Sequence, residues 1–142
     1  MKNDTANNGK GYVLDTSALL TLIEDEDGAD RVEKALKEGK IIISWMSLLE
    51  VLYISLQETG EEVAMQRYAM LKELDAEIAW EMDEPLLIAA ARLKASRRLS
   101  LADAIIAALA IQRNAILLHK DPEYQALHGM ARLEALPYKT HS

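Results

Sequence analysis

Three short stretches of the chain are continuously apolar: YVL at Tyr12–Leu14, III at Ile41–Ile43 and AILL at Ala115–Leu118. Runs of this kind suit strands covered on both faces, as in a parallel sheet. A further short strand is expected near Glu77–Trp80. In MARLEAL, Met130–Leu136, Arg132 and Glu134 fall on one side while Leu133 and Ala135 take apolar positions, the pattern of a half-solvated edge strand. Helical spacing fills the intervals. Ala29, Val32, Ala35 and Leu36 recur at helical period and Gly39 is a suitable stop. Ser47–Thr59 reads as a mostly apolar helix, and Glu61–Leu74 as a more amphipathic one with Val63, Ala64, Tyr68 and Leu71 inward. Glu84–Arg97 carries Pro85 in its first turn, where a missing N–H costs little. Leu101–Gln112 is rich in Ala and Ile.

The resulting order, β-α-α-β-α-α-β-α-α-β-β, predicts a three-layer α/β/α sandwich around a central, mostly parallel sheet. No repeat, low-complexity block or linker interrupts residues 11–138, so one domain is expected there. Residues 1–10, MKNDTANNGK, read as a disordered lead-in without the apolar core of a signal peptide, and 139–142 as a tail. No apolar run reaches the roughly 18–20 residues of a bilayer span, and a cytoplasmic location is the expectation.

Sites in parallel sheets form beyond the carboxyl ends of strands, which draws attention to four carboxylates. Asp15 ends the first strand, where a helix N-cap or Asx turn is the structural alternative. Glu50 is the only charged residue in Ile41–Gln57; Ser47-x-x-Glu50 also matches a capping box, with Glu50 on the side of Tyr53 and Gln57. Asp103 is the only charged residue in Leu99–Gln112, and Ser100-x-x-Asp103 is again a capping box. It shares a helical side with Ala107 and Ala110, a close-packing face on which a lone carboxylate is costly to desolvate without a partner. Asp121 follows the strand AILL and begins an Asp-Pro turn. Parallel topology brings Asp15, Glu50 and Asp121 to one edge of the sheet; Asp103 follows a helix, so the same rule does not place it. Capping and cation binding are compatible, because the first turn of a helix favours an ionised carboxylate.

Composition limits the chemistry. The chain has no cysteine, hence neither disulfides nor a thiolate zinc site, and His119, His128 and His141 show no ligand spacing. A net charge of −7 argues against a broad basic surface for nucleic acid, but not against an enzyme that meets phosphates through bound cations. Arg92, Lys94, Arg97 and Arg98 precede the Asp103 helix and Lys120 abuts Asp121; Arg98 and Lys120 are the candidate substrate contacts. Trp45 and Tyr124 are candidates for base stacking, with core packing the alternative for Trp45.

YVLDTSALL, the SLLEV helix start, LSLADAIIAALA and LLHKDPEY resemble the acidic motifs of PIN-domain ribonucleases, particularly the VapC-type toxins of toxin–antitoxin pairs. The resemblance covers about residues 11–138. It implies an endoribonuclease whose site joins Asp15, Glu50, Asp103 and Asp121 around Mg²⁺ or Mn²⁺, with a hydroxyl from Thr16 or Ser17 assisting. It places Asp103 with the other three. It further implies an RNA substrate, a homodimer and a small antitoxin laid in a groove between the Ser47 and Glu61 helices. Four clustered carboxylates repel one another, so some should hold protons until a cation binds. The chain departs from the family at His119, where Thr or Ser is usual; Tyr124 fills the usual aromatic position. The phosphatase pattern DxDxT is excluded by Ser17, and no adjacent acidic pair of the phospho-receiver type follows the strand. An interaction module that keeps the fold without the chemistry, and a nuclease of cellular RNA processing without an antitoxin, are the alternative functions.

Overall fold

A computed structural model describes residues 11–139, so the expected lead-in and all but the first residue of the expected tail lie outside the described residues. Five strands form one sheet: β1 (Gly11–Leu14), β2 (Lys40–Ser44), β3 (Glu77–Ala79), β4 (Ile116–His119) and β5 (Arg132–Ala135). Their order is β3-β2-β1-β4-β5, and every pairing is parallel. The helices are α1 (Thr16–Ile23), α2 (Ala29–Glu38), α3 (Trp45–Thr59), α4 (Glu61–Lys72), α5 (Glu84–Ser96) and α6 (Leu101–Gln112). A 3-10 turn, Pro122–Leu127, links β4 to β5.

Alternation along the strands divides the core in two. Val13, Ile42 and Leu117 face α5 and α6, with Leu86, Ala90, Leu93 and the Ala104–Ala110 run packed on them. Tyr12, Leu14, Ile41, Ile43 and Leu118 face the other way, against Leu19 of α1, Val32 of α2, Leu48 and Val51 of α3 and Leu71 of α4. The apolar runs thus bury both faces, which is why they lack polar alternation, and the expected three-layer α/β/α sandwich is the one observed. Among the described residues, no helix is long and apolar enough to cross a membrane.

β1 is the central strand. From it the chain builds outward to β2 and β3, then returns to lay β4 on the opposite side, so the sheet order reverses between β1 and β4. Such a switch point leaves a crevice beyond the carboxyl ends of the two strands, because their connections leave in opposite directions. The far edge is bolted on by charge. Arg31 of α2 donates from Nε to Glu134 Oε2 at 2.6 Å and from Nη2 to Glu134 Oε1 at 3.0 Å, and also to the Tyr12 hydroxyl at 3.0 Å. A two-pronged Arg–carboxylate pair of this geometry ties the short strand β5 to the helical layer.

One expected cap moves. Ser44, not Ser47, is the N-cap of α3, accepting from the Met46 N–H at 3.0 Å. The cap therefore lies three residues earlier, and Glu50 leaves the first turn for the second. Ser47 is buried, and its hydroxyl has no hydrogen-bond partner among the described residues. The Ser100–Asp103 cap forms as expected, with Ser100 Oγ accepting from the Asp103 N–H at 3.1 Å.

The loop between α1 and α2 turns at Gly28, whose φ of 105° is a backbone conformation that side chains disfavour. A Cβ there would also meet Pro137 Cδ at 3.2 Å and Leu136 Cβ at 3.3 Å. Gly28→Ala is expected to cost about 1–3 kcal/mol, read as a lower urea midpoint with an unchanged slope; an unchanged midpoint would show that this turn relaxes freely.

Candidate active site

The crevice at the β1–β4 switch point holds acids. A cleft of about 250 Å³ is lined by Asp15, Glu50, Asp103, Asp121 and Glu123, together with Thr16, Ser17, Leu20 and Ser100, and by no basic residue among those described. All four acids singled out in the sequence share this cleft. Each reaches it by a different local route.

Asp15 follows β1 and caps α1. Its backbone N–H donates to Leu118 O at 3.1 Å, continuing the ladder with β4. Its carboxylate accepts from the Ser17 backbone N–H and from the Ser17 hydroxyl at 2.9 Å. Ser17 Oγ in turn accepts from the Lys120 backbone N–H at 2.8 Å. One hydroxyl therefore links the ends of β1 and β4 and orients the Asp15 carboxylate between them. Glu50, displaced from the capping position, is held by Thr16, whose hydroxyl donates to Glu50 Oε1 at 2.5 Å. Thr16 and Ser17 are thus each committed to a carboxylate.

Asp103 is buried in the first turn of α6, on the close-packed face expected from its Ala neighbours. Its partner is the Tyr124 hydroxyl, which donates to Asp103 Oδ1 at 3.1 Å. Asp121 caps the 3-10 turn and accepts from the Glu123 N–H at 2.9 Å. That turn carries an acid the sequence reading missed. One oxygen each from Asp103, Asp121 and Glu123 lies within 4.8 Å of the others. The available signal was Glu123 two residues beyond Asp121, in the turn that Pro122 opens; without the turn's direction it reads as ordinary exposed charge.

The other singled-out residues lie elsewhere. Arg98 is exposed on the connection between α5 and α6. Lys120 turns away from the acid cleft: its ammonium donates to Asp27 O at 2.7 Å and lies 3.5 Å from Glu26 Oε1, bracing the α1–α2 loop. It lines a neighbouring groove of about 430 Å³ that runs past Leu20, Ile54 and Tyr138. Trp45 packs on the α5–α6 core. Tyr124 is wholly buried, which corrects its reading as a stacking platform: a ring without solvent exposure meets no incoming base. His119 is wholly buried as well; burial pushes its pKa down, against the pull of the nearby Asp121.

Crowding and burial set the electrostatics. Burial pushes the Asp15 pKa up to about 7, against the opposing hydrogen bonds from Ser17 and with help from the charges of Asp121 and Glu50. Asp103 is likewise held well above the usual carboxylate range, first by burial and then by Asp15 and Asp121, with the Tyr124 hydroxyl pulling the other way. The donor set is entirely hard oxygen, no cationic side chain lines it among the described residues, and Asp15 and Asp103 are both pushed toward the protonated form. That is the chemistry of a site for a small divalent ion, and Mg²⁺ or Mn²⁺ fits it.

A pH dependence follows. Both aspartates have folded-state pKa values above their unfolded ones, so their contribution to stability is full below about pH 4 and is lost as pH rises, for Asp15 through about 7. In EDTA, the melting temperature is expected to fall by several degrees between about pH 6 and pH 8.5. Asp15→Asn should flatten that slope and Mn²⁺ should oppose it. A melting temperature that held or rose over this interval in EDTA would contradict the assigned electrostatics.

Solved structures of known proteins share this architecture. One is VapBC2 from Rickettsia felis, bound to a DNA fragment from its promoter: 20% identity, TM-score 0.75, covering 89% of this chain and 99% of that one. Another is VapC20 from Mycobacterium tuberculosis, described as a Sarcin-Ricin loop cleaving toxin: 19% identity, TM-score 0.73, with the same shares of 89% and 99%. VapBC-1 from nontypeable Haemophilus influenzae superposes with a TM-score of 0.69 at 20% identity, over 88% of this chain and 97% of that one. No curated protein matches the chain. The family model for the PIN domain matches residues 12–129, which is most of the chain, and on that match the protein belongs to the PIN domain family.

Proposed function

We propose that this protein is a divalent-metal-dependent endoribonuclease and the toxin of a toxin–antitoxin pair. The carrying observation is the convergence of five acidic residues, with no basic one among the described residues, in one cleft at the switch point of a PIN fold. The neighbouring VapBC structures support the toxin reading, and the description of VapC20 as a Sarcin-Ricin loop cleaving toxin supports the substrate class.

In this reading Asp15 and Asp103 are the principal ligands for Mg²⁺ or Mn²⁺, and Asp121 completes the set with Glu123 beside it. Held there, the cation supplies charge neutralisation for a phosphodiester and lowers the pKa of water for attack on phosphorus. Glu50 orients that water and takes up its proton; the Thr16 hydroxyl keeps the carboxylate turned toward the cleft. Ser17 holds Asp15, so a change at Ser17 acts on the reaction through the ligand. Arg98, exposed between α5 and α6, is the contact for RNA phosphate beyond the cleft; Lys120 contributes by bracing the α1–α2 loop.

The partners in this reading are an antitoxin and a second copy of the chain. On α3, Leu49, Tyr53 and Leu56 are exposed at helical spacing and form an apolar stripe beside α4, which itself exposes Val63, Met65 and Met70. A water-facing stripe of that length is a suitable seat for an apolar partner segment.

Purified protein with Mn²⁺ is expected to cut structured RNA, with the activity abolished by EDTA. Asp15→Asn should lower cleavage by on the order of 100-fold or more while the circular dichroism spectrum stays native. Equal cutting by both proteins would assign the activity to a contaminant or another site.

A further inference from the structure

We propose that His119 and Tyr124 act together as a buried positioning pair that sets the two ligands Asp121 and Asp103 for the cation. The inference rests on the metal-dependent reading above, and goes beyond it to residues that do not themselves line the cleft.

Each residue is more polar than its place in the core requires. Tyr124 is wholly buried among Leu117, Leu127 and the α6 alanines. Phenylalanine would fill that space equally well, and the hydroxyl adds one thing, a 3.1 Å hydrogen bond to Asp103 Oδ1. That bond fixes one carboxylate oxygen and with it the orientation of the group. His119 ends β4 and is also wholly buried. Its Nδ1 accepts from the Asp121 backbone N–H at 3.1 Å. Accepting there puts the proton of the neutral ring on Nε2, and Nε2 has no hydrogen-bond partner among the described residues. An aliphatic side chain would occupy the site without burying that orphan donor. What the imidazole provides is the grip on Asp121.

The two grips are mechanically joined. The rings of His119 and Tyr124 lie 4.9 Å apart between centroids, tilted by 59°. Asp121 stands between them in sequence, its N–H held by His119 and its carboxylate by the Glu123 N–H at the start of the turn that carries Tyr124. A shift of either ring therefore moves a ligand directly and the other ligand through ring contact. Partners of this kind around metal ligands commonly govern affinity because they fix ligand orientation before the ion arrives.

Calorimetric titration of the full chain with Mn²⁺ tests this without recourse to cleavage. Tyr124→Phe, which keeps the ring, and His119→Leu, which removes the acceptor, are each expected to weaken Mn²⁺ binding by about 10-fold. His119→Asn, whose amide oxygen can take the place of Nδ1, should recover most of the loss. The double variant Tyr124→Phe/His119→Leu should lose less than the product of the single effects, because the two act on one unit. The melting temperature of Tyr124→Phe in EDTA should stay close to that of the parent, which separates positioning from folding. If His119→Leu does not fold, Tyr124→Phe and His119→Asn decide. Parental Mn²⁺ affinity in Tyr124→Phe and His119→Leu would overturn the positioning pair and leave the metal reading standing. Absence of Mn²⁺ binding by the parent chain would overturn both.

Discussion

Parallel pairing of β1 with β4, Leu14 opposite Leu118, sets where each strand hands over to its following segment, and every feature of the acid cleft depends on that register. The pairing continues one step past β1 through the Asp15 N–H to Leu118 O. It brings Ser17, in the first turn of α1, within reach of the Lys120 backbone. A slip of one residue would turn the buried Leu14 and Leu118 toward the opposite helical layer and separate Asp15 from Asp121. The core that favours this register is thus also what assembles the site, and no separate interaction is needed to bring the strand ends together.

What the core assembles is electrostatically unfavourable by itself. Asp15 and Asp103 are both buried; the charge of Asp15 raises the cost of ionising Asp103, and those of Asp121 and Glu50 raise the cost for Asp15. Against this stand a few oriented donors: the Ser17 amide and hydroxyl on Asp15, Thr16 on Glu50, Tyr124 on Asp103 and the Glu123 amide on Asp121. They reduce the penalty without abolishing it. In the metal-dependent reading proposed above, a divalent ion would remove the remainder, since its charge would meet carboxylates that are already held in place and already poorly solvated. The surrounding hydrophobic packing sustains that unrelieved repulsion.

The bracing around the cleft uses charges that a reading by residue type would assign to substrate. Lys120 sits beside Asp121 in sequence, yet its ammonium secures the α1–α2 loop through Asp27 and Glu26. Tyr124 stands at the usual aromatic position of the family motif, yet it faces inward. In both cases local backbone direction decides the outcome: Lys120 lies in the connection just past β4, and Tyr124 on the inward side of the 3-10 turn.

The amino-acid sequence by itself determined the strands, through apolar runs too continuous for one-sided burial, and the helices, through their period and their caps. It also determined that Asp15 and Asp121 stand at strand ends and that Asp103 lies on a face of small residues beside its Ser100 cap, because these are local properties of a few consecutive positions. Tertiary structure alone decided the rest. Glu50 is oriented by Thr16, a residue 34 positions away, after the cap of α3 moved to Ser44. Glu123 joins Asp103 and Asp121 only because the 3-10 turn folds back toward α6. Periodicity records which face of an element is buried, but it carries no record of which side chain from another element will stand opposite, and the pKa of a buried carboxylate is the sum over exactly those partners.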